Sequence, residues 1–114
     1  MPQIKAETAN GELAFEAEAG QRLVLALEDN GVDILHRCGG NARCTTCRVE
    51  VLHGDPGPIG EAEAAILATK TDLNEQTRLS CQILIADDLT VKVINQASVM
   101  GIDAGPRPED QLAN

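Results

Sequence analysis

Aromatic side chains are nearly missing. Phe15 is the single one, and the chain has no Trp and no Tyr. Any core must therefore be aliphatic, and the stacking platforms that hold single-stranded nucleic acid or sugars are not expected. Basic residues are scarce as well: nine Lys and Arg face 18 Asp and Glu, for a formal net charge of −9. So acidic a chain repels polyanions, which argues against nucleic acid and anionic membrane surfaces as partners. No apolar run reaches the roughly 20 residues of a membrane-spanning helix. The start, MPQIKAETANGEL, also lacks a signal peptide's apolar stretch. The expectation is a protein without membrane insertion, in the cytoplasm or a comparably reducing compartment. There, four cysteines serve metal or redox chemistry more readily than disulfides.

What is present points to one folded unit. The chain has 114 residues, of which 43% are apolar. That is enough for one modest core and too much for disorder. Charge is distributed unevenly. Residues 1–35 and 54–114 are strongly acidic, whereas 36–53 carry Arg37, Arg43 and Arg48 against Glu50 alone. Three of the four cysteines fall in that basic segment.

Residues 3–7 and 12–17 alternate apolar and polar like half-buried strands, with Asn10-Gly11 between them as a hairpin signal. The run 22–30 fits strand or helix by periodicity. Gly31 in the C′ position and the Leu23/Leu27 pair decide for helix. Residues 36–47 form a loop broken by Gly39-Gly40-Asn41, and 48–53 alternate like a strand. The cluster Gly54-Asp-Pro-Gly-Pro58 is a turn. Residues 61–70 read as a helix with acids first and Lys70 last. Residues 78–85 and 89–94 read as closing strands around an Asp87-Asp88 turn. The expectation is an α+β domain over 1–96: a mixed sheet, one main helix packed across it and a second short helix. Residues 97–114 are expected as a loosely packed or disordered C-terminal tail.

The cysteines follow the pattern Cys38-x5-Cys44-x2-Cys47, then 33 residues, then Cys81. Three close ligands and a distant fourth suit a cofactor that a loop wraps and a remote element closes. Four thiolates can hold two irons bridged by two sulfides. Gly39 and Gly40 allow close backbone approach, and Thr45 and Thr46 offer hydroxyl donors. Arg37, Arg43 and Arg48 are candidate cations for a cluster of about −2 charge when oxidised and −3 when reduced. For each of them, plain solvation is the simpler role.

These residues resemble a known family. Cys38-Gly-Gly-Asn-Ala-Arg-Cys44-Thr-Thr-Cys47-Arg-Val-Glu-Val, followed by Arg78-Leu-Ser-Cys81-Gln, is similar to the [2Fe–2S] ferredoxins of β-grasp fold, over roughly residues 3–95. The resemblance implies one [2Fe–2S] cluster with Cys38, Cys44, Cys47 and Cys81 as its ligands. It implies one-electron transfer from a ferredoxin reductase to acceptor enzymes, without substrate chemistry of the chain's own. The five residues between the first two cysteines resemble the adrenodoxin-like and bacterial members, not the plant-type spacing of four. The final gap of 33 is slightly shorter than those members usually have. In adrenodoxin-like relatives an acidic helix helps partner docking, which by resemblance favours 61–75. Transient docking of a monomer is expected, steered by Glu28, Asp29, Asp33, Glu61, Glu63, Asp72, Glu75, Asp87 and Asp88.

Two other uses of the same ligands stay open. One is a four-cysteine zinc site, although only Cys44 and Cys47 make the close pair such sites favour. The other is a sensory or regulatory iron–sulfur module, although no effector segment is evident. A thioredoxin-like dithiol at Cys44 and Cys47 would need a helix start after a strand, and the flanking pattern offers a glycine loop running into a strand. His36 and His53 are read as surface or loop histidines, not Rieske-type ligands, and Met100 as packing.

Overall fold

The computed structural model describes residues 2–9, 11–35, 47–57, 59–69 and 76–101, with only the backbone at 62, 98 and 100. Its strands are β1 (Gln3–Thr8), β2 (Gly11–Glu16), β3 (Arg48–His53), β4 (Thr77–Leu79) and β5 (Leu89–Val93). Its helices are α1 (Leu23–Asp29), α2 (Glu61–Leu67) and the short α3 (Ala97–Met100), with a 3-10 turn at Ser80–Gln82. The strands form one mixed sheet in the order β2-β1-β5-β3-β4. β1 and β5 run parallel at its centre, from Ile4 opposite Leu89 to Glu7 opposite Lys92. The remaining pairs are antiparallel. This is the expected α+β architecture.

The alternation read in β1 is real: Ile4 and Ala6 are buried, and Gln3, Lys5 and Glu7 face solvent. β2 pairs with β1 as expected, from Thr8–Gly11 to Gln3–Glu16. It is an edge strand, however, and only Phe15 of its side chains packs partly against the core. Asn10 of the expected turn lies outside the described residues.

α1 explains its own ambiguous periodicity. Leu23, Val24, Leu25, Ala26 and Leu27 are all buried, so the helix has no polar face to set a 3.6-residue rhythm. Gly31 ends it. At φ +88° it occupies the left-handed region that a side chain resists. Its N–H donates to the Glu28 carbonyl at 3.1 Å, and the Val32 N–H donates to that of Leu27 at 2.9 Å. That double bond pattern is a Schellman cap.

The core is aliphatic, as the composition requires. Ile4, Leu23, Leu27, Ile34, Val49, Leu79, Ile83, Leu89 and Val91 are essentially inaccessible, and Cys47 and Cys81 belong to the same cluster. Each such Leu, Ile or Val contributes about 1.5–3 kcal/mol by leaving water. At the far end of β3 the chain passes close to the start of β5. A Cβ on Gly54 would stand 2.3 Å from the Asp88 carbonyl oxygen, so only glycine fits there.

One expected element is corrected. The strand foreseen over 78–85 pairs with β3 only through Thr77–Leu79 and then turns. The Ser80 N–H still donates to the Cys47 carbonyl in the ladder's register, and the chain then turns through residues 80–82, where the Ile83 N–H donates back to the Ser80 carbonyl at 3.4 Å. Residues 83–85 pair elsewhere, with the approach to α1. The Leu23 N–H donates to the Ile83 carbonyl at 2.9 Å, and the Ile85 N–H donates to that of Gln21 at 2.9 Å. The second helix also stops at Leu67, short of the expected 70, and Lys70 lies outside the described residues. The expected tail opens with α3, and residues 102–114 lie outside the described residues.

Candidate metal centre

Of the four expected ligands, Cys47 and Cys81 are described. Cys38 and Cys44 lie outside the described residues, with His36, Arg37, Gly39, Gly40, Asn41, Arg43, Thr45 and Thr46. Cys47 stands at the entry to β3, and Cys81 at the middle of the 3-10 turn after β4. The register explains how they meet. Arg48 pairs with Leu79, so one step further out Cys47 faces Ser80, the neighbour of Cys81. Ser80 fixes this end of the ladder. Its N–H (3.1 Å) and its hydroxyl (2.7 Å) both donate to the Cys47 carbonyl. Two cysteines with 33 residues between them in sequence are thus brought to adjoining backbone positions at one end of the sheet.

Both thiols have no exposure. They sit in an aliphatic shell where a bare charge is costly and a soft, charge-delocalising group is favoured. Two donors approach Cys81 in particular. The Gln82 side-chain amide lies 3.5 Å from Sγ, and the Arg22 guanidinium donates through Nε to the Cys81 carbonyl at 2.8 Å. Sulfur donors, a dry surround and N–H groups turned toward the cysteine suit an iron–sulfur cluster.

The strand that delivers Cys81 is clamped from outside by a buried ion pair. Arg78 on β4 donates to Glu63 on α2 through Nε (2.7 Å) and Nη2 (2.9 Å). The adjacent Leu79 N–H donates to the same carboxylate at 2.9 Å, and Arg78 Nη1 donates to the Gly57 carbonyl at 2.8 Å. One carboxylate therefore ties α2, β4 and, through Arg78, the 54–57 turn. This corrects the placing of Glu63 among the surface acids. It is fully buried, because Arg78 and the β4 backbone satisfy its oxygens.

Glu61, Asp29, Asp87 and Asp88 are exposed, Glu28 and Asp33 are half-buried, and Asp72 and Glu75 lie outside the described residues. His53 is exposed at the opposite end of β3 from Cys47, about 20 Å along the strand at some 3.3 Å per residue. The side chain of Met100 is not among those described.

Sequence reading missed Arg22, Ser80, Gln82 and the Glu63–Arg78 pair. Arg22 did leave a trace, as a cation opening an otherwise apolar run. The pair left none, because its members lie 15 residues apart on different elements.

Comparison with known proteins agrees with this geometry. Residues 7–86 match the family model described as "2Fe-2S iron-sulfur cluster binding domain". The chain is 38% identical over 109 residues to a 2Fe-2S ferredoxin of Pseudomonas aeruginosa, covering 86% of this chain and 97% of that one. Among solved structures it superposes on the ISC-like [2Fe–2S] ferredoxin of Pseudomonas putida with a TM-score of 0.75 at 28% identity. That match covers 82% of this chain and 93% of the other. It superposes on the covalent putidaredoxin reductase–putidaredoxin complex with a TM-score of 0.68 at 30% identity, covering 82% and 99%. No described helix is long and apolar enough to cross a membrane. With its β-grasp sheet, its buried cysteine pair and a family match over most of its length, the chain belongs to the [2Fe–2S] ferredoxins: an electron carrier with one cluster, not an enzyme.

Proposed function

We propose that Cys38, Cys44, Cys47 and Cys81 hold the cluster, two thiolates to each iron, and that the chain carries single electrons from a ferredoxin reductase to acceptor enzymes. The observation that supports this best is the meeting of Cys47 and Cys81 across the β3–β4 register. Both are wholly buried, and Ser80 is bonded between them. The bound cluster supplies a reversible one-electron couple. The protein's own residues fix it and bias it. Ser80 holds the Cys47 peptide, the Glu63–Arg78 clamp holds the strand leading to Cys81, and the Gln82 amide, beside Cys81 Sγ, favours the more negative state.

The putidaredoxin complex with its reductase, to which this chain is similar, supports a reductase as the electron donor. Docking is transient and partly electrostatic. The exposed acids Asp29, Glu61, Asp87 and Asp88, on a chain of net charge −9, attract a basic partner face. The carrier acts as a monomer in a reducing cytoplasm. The second-order rate of its reduction by a ferredoxin reductase, followed by stopped-flow absorbance, falls about tenfold between low salt and 0.5 M salt as the Debye length contracts. A rate indifferent to ionic strength contradicts electrostatic docking.

A further inference from the structure

Arg22 is 1% exposed, and it ranks among the largest fully buried side chains of the described residues. Holding an electron carrier's fold together does not require a cation there. An aliphatic residue would serve the surrounding core, and burying a guanidinium carries a desolvation cost. Its position is nevertheless tightly determined. The Arg22 backbone bridges to Leu84, and the next residue donates to the Ile83 carbonyl, so main-chain bonds fix the root of the side chain beside the cysteine turn. From there Nε reaches the Cys81 carbonyl at 2.8 Å, across 59 residues of sequence.

The electrostatic consequence follows from charge alone. Arginine is a permanent cation. A cluster held by four thiolates becomes more negative by one charge when it accepts an electron. A cation fixed nearby in a medium of low polarisability therefore stabilises the reduced state more than the oxidised one. The hydrogen bond acts in the same sense, since it draws electron density from the Cys81 peptide toward the guanidinium.

We propose that Arg22 is a potential-setting residue, a buried cation whose charge beside Cys81 raises the reduction potential of the cluster. This rests on the reading of Cys81 as a ligand and extends it to a residue outside the four thiolates. Arg22 is thus a positioning and tuning group, distinct from the ligands. The same geometry would also arise if it were only a tether between α1 and the cysteine turn. The two roles separate by measurement, because a tether acts on stability and a charge acts on the potential.

The test compares cluster-loaded parent, Arg22→Gln and Arg22→Lys. Midpoint potentials come from redox titration followed by visible absorbance and by the electron paramagnetic resonance of the reduced state. Iron and sulfide are assayed on the same samples. The reduced-to-oxidised ratio of Arg22→Gln at a fixed poise falls about tenfold, about 59 mV for a one-electron couple, and Arg22→Lys recovers most of the loss. Full loading of both variants with an unchanged potential overturns the proposal. So does an equal shift in both, because the effect would then follow the lost guanidinium bond and not the charge. If Arg22→Gln fails to take up iron, citrulline introduced at position 22 by ligation keeps the Nε donor and removes only the charge. An unchanged potential in that protein is equally fatal. Cys81→Ser assayed alongside keeps the two readings apart. Parental iron content in that variant overturns the ligation reading, whatever the Arg22 series gives.

Discussion

Cys81→Ser protein, reconstituted beside the parent under the same anaerobic conditions, loses most of its iron, its sulfide and its visible absorption, and Cys47→Ser does the same. The size of the effect follows from where these side chains lie. Both are fully buried at the converging ends of β3 and the 3-10 turn, so no neighbouring surface group can substitute. A hydroxyl is a hard, weakly acidic donor, and iron–sulfur chemistry is built on soft thiolate. The substitution is otherwise mild. Serine is slightly smaller than cysteine, and the backbone bonds between Ser80 and Cys47 do not involve either sulfur. Far-ultraviolet circular dichroism therefore stays close to that of the parent apoprotein and shows that cluster loss is not general unfolding. His53→Ala, at the exposed opposite end of β3, loads as the parent does. Retention of parental iron and spectrum by Cys81→Ser would show that the fourth ligand lies elsewhere.

Glu63→Ala is expected to be the most destabilising change away from the cysteines, at about 3–5 kcal/mol, the usual cost of removing one member of a buried pair. Three hydrogen bonds end on this carboxylate, two from Arg78 and one from the Leu79 amide. Its loss leaves a guanidinium and a backbone N–H with no acceptor at that spot, in a place water does not reach. For a small domain with about 5–15 kcal/mol of total stability, that is a large share. The damage also falls on the strand that positions Cys81, so the cluster is lost from the variant sooner during urea unfolding. The urea midpoint, read by circular dichroism and visible absorbance together, measures it. The double variant Glu63→Leu with Arg78→Met recovers much of the loss, because removing both charges leaves nothing buried and unsatisfied. A single substitution costing less than about 1 kcal/mol would place the pair in water, against the observed burial.

These two sites also mark how far the sequence could be read. The cysteine pattern was legible because the chemistry of four thiolates, with glycines between, constrains residue type and spacing more tightly than packing does. β1, β2 and β3 were legible from alternation, and β5 from the Asp87-Asp88 turn before it. α1 was not legible from periodicity, since five consecutive buried residues carry no phase, and Gly31 with the Leu23/Leu27 pair settled it. The strand over 78–85 was over-read. Alternation continues through Ile83 and Ile85, but after the last rung at Ser80 the chain turns through residues 80–82 and pairs with the approach to α1 instead. Glu63 was counted as a surface acid for the same kind of reason. It lies in the first turn of α2, where acids are expected from the helix dipole, and its partner Arg78 sits on another element. Arg22 belongs with it. A buried charge is chosen by what it meets across the fold, and local pattern does not record that.

The most direct test is stoichiometry. The protein, supplied anaerobically with ferrous iron, sulfide and reductant and then desalted, is assayed for iron, acid-labile sulfide and zinc, with a spectrum taken on the same sample. Because the chain has no Trp or Tyr, protein absorbance at 280 nm is slight and cluster bands dominate. The result expected is about two irons and two sulfides per chain, a brown colour and bleaching on one-electron reduction. A folded but colourless product with neither iron nor sulfide, or one holding a single zinc in their place, would contradict the account.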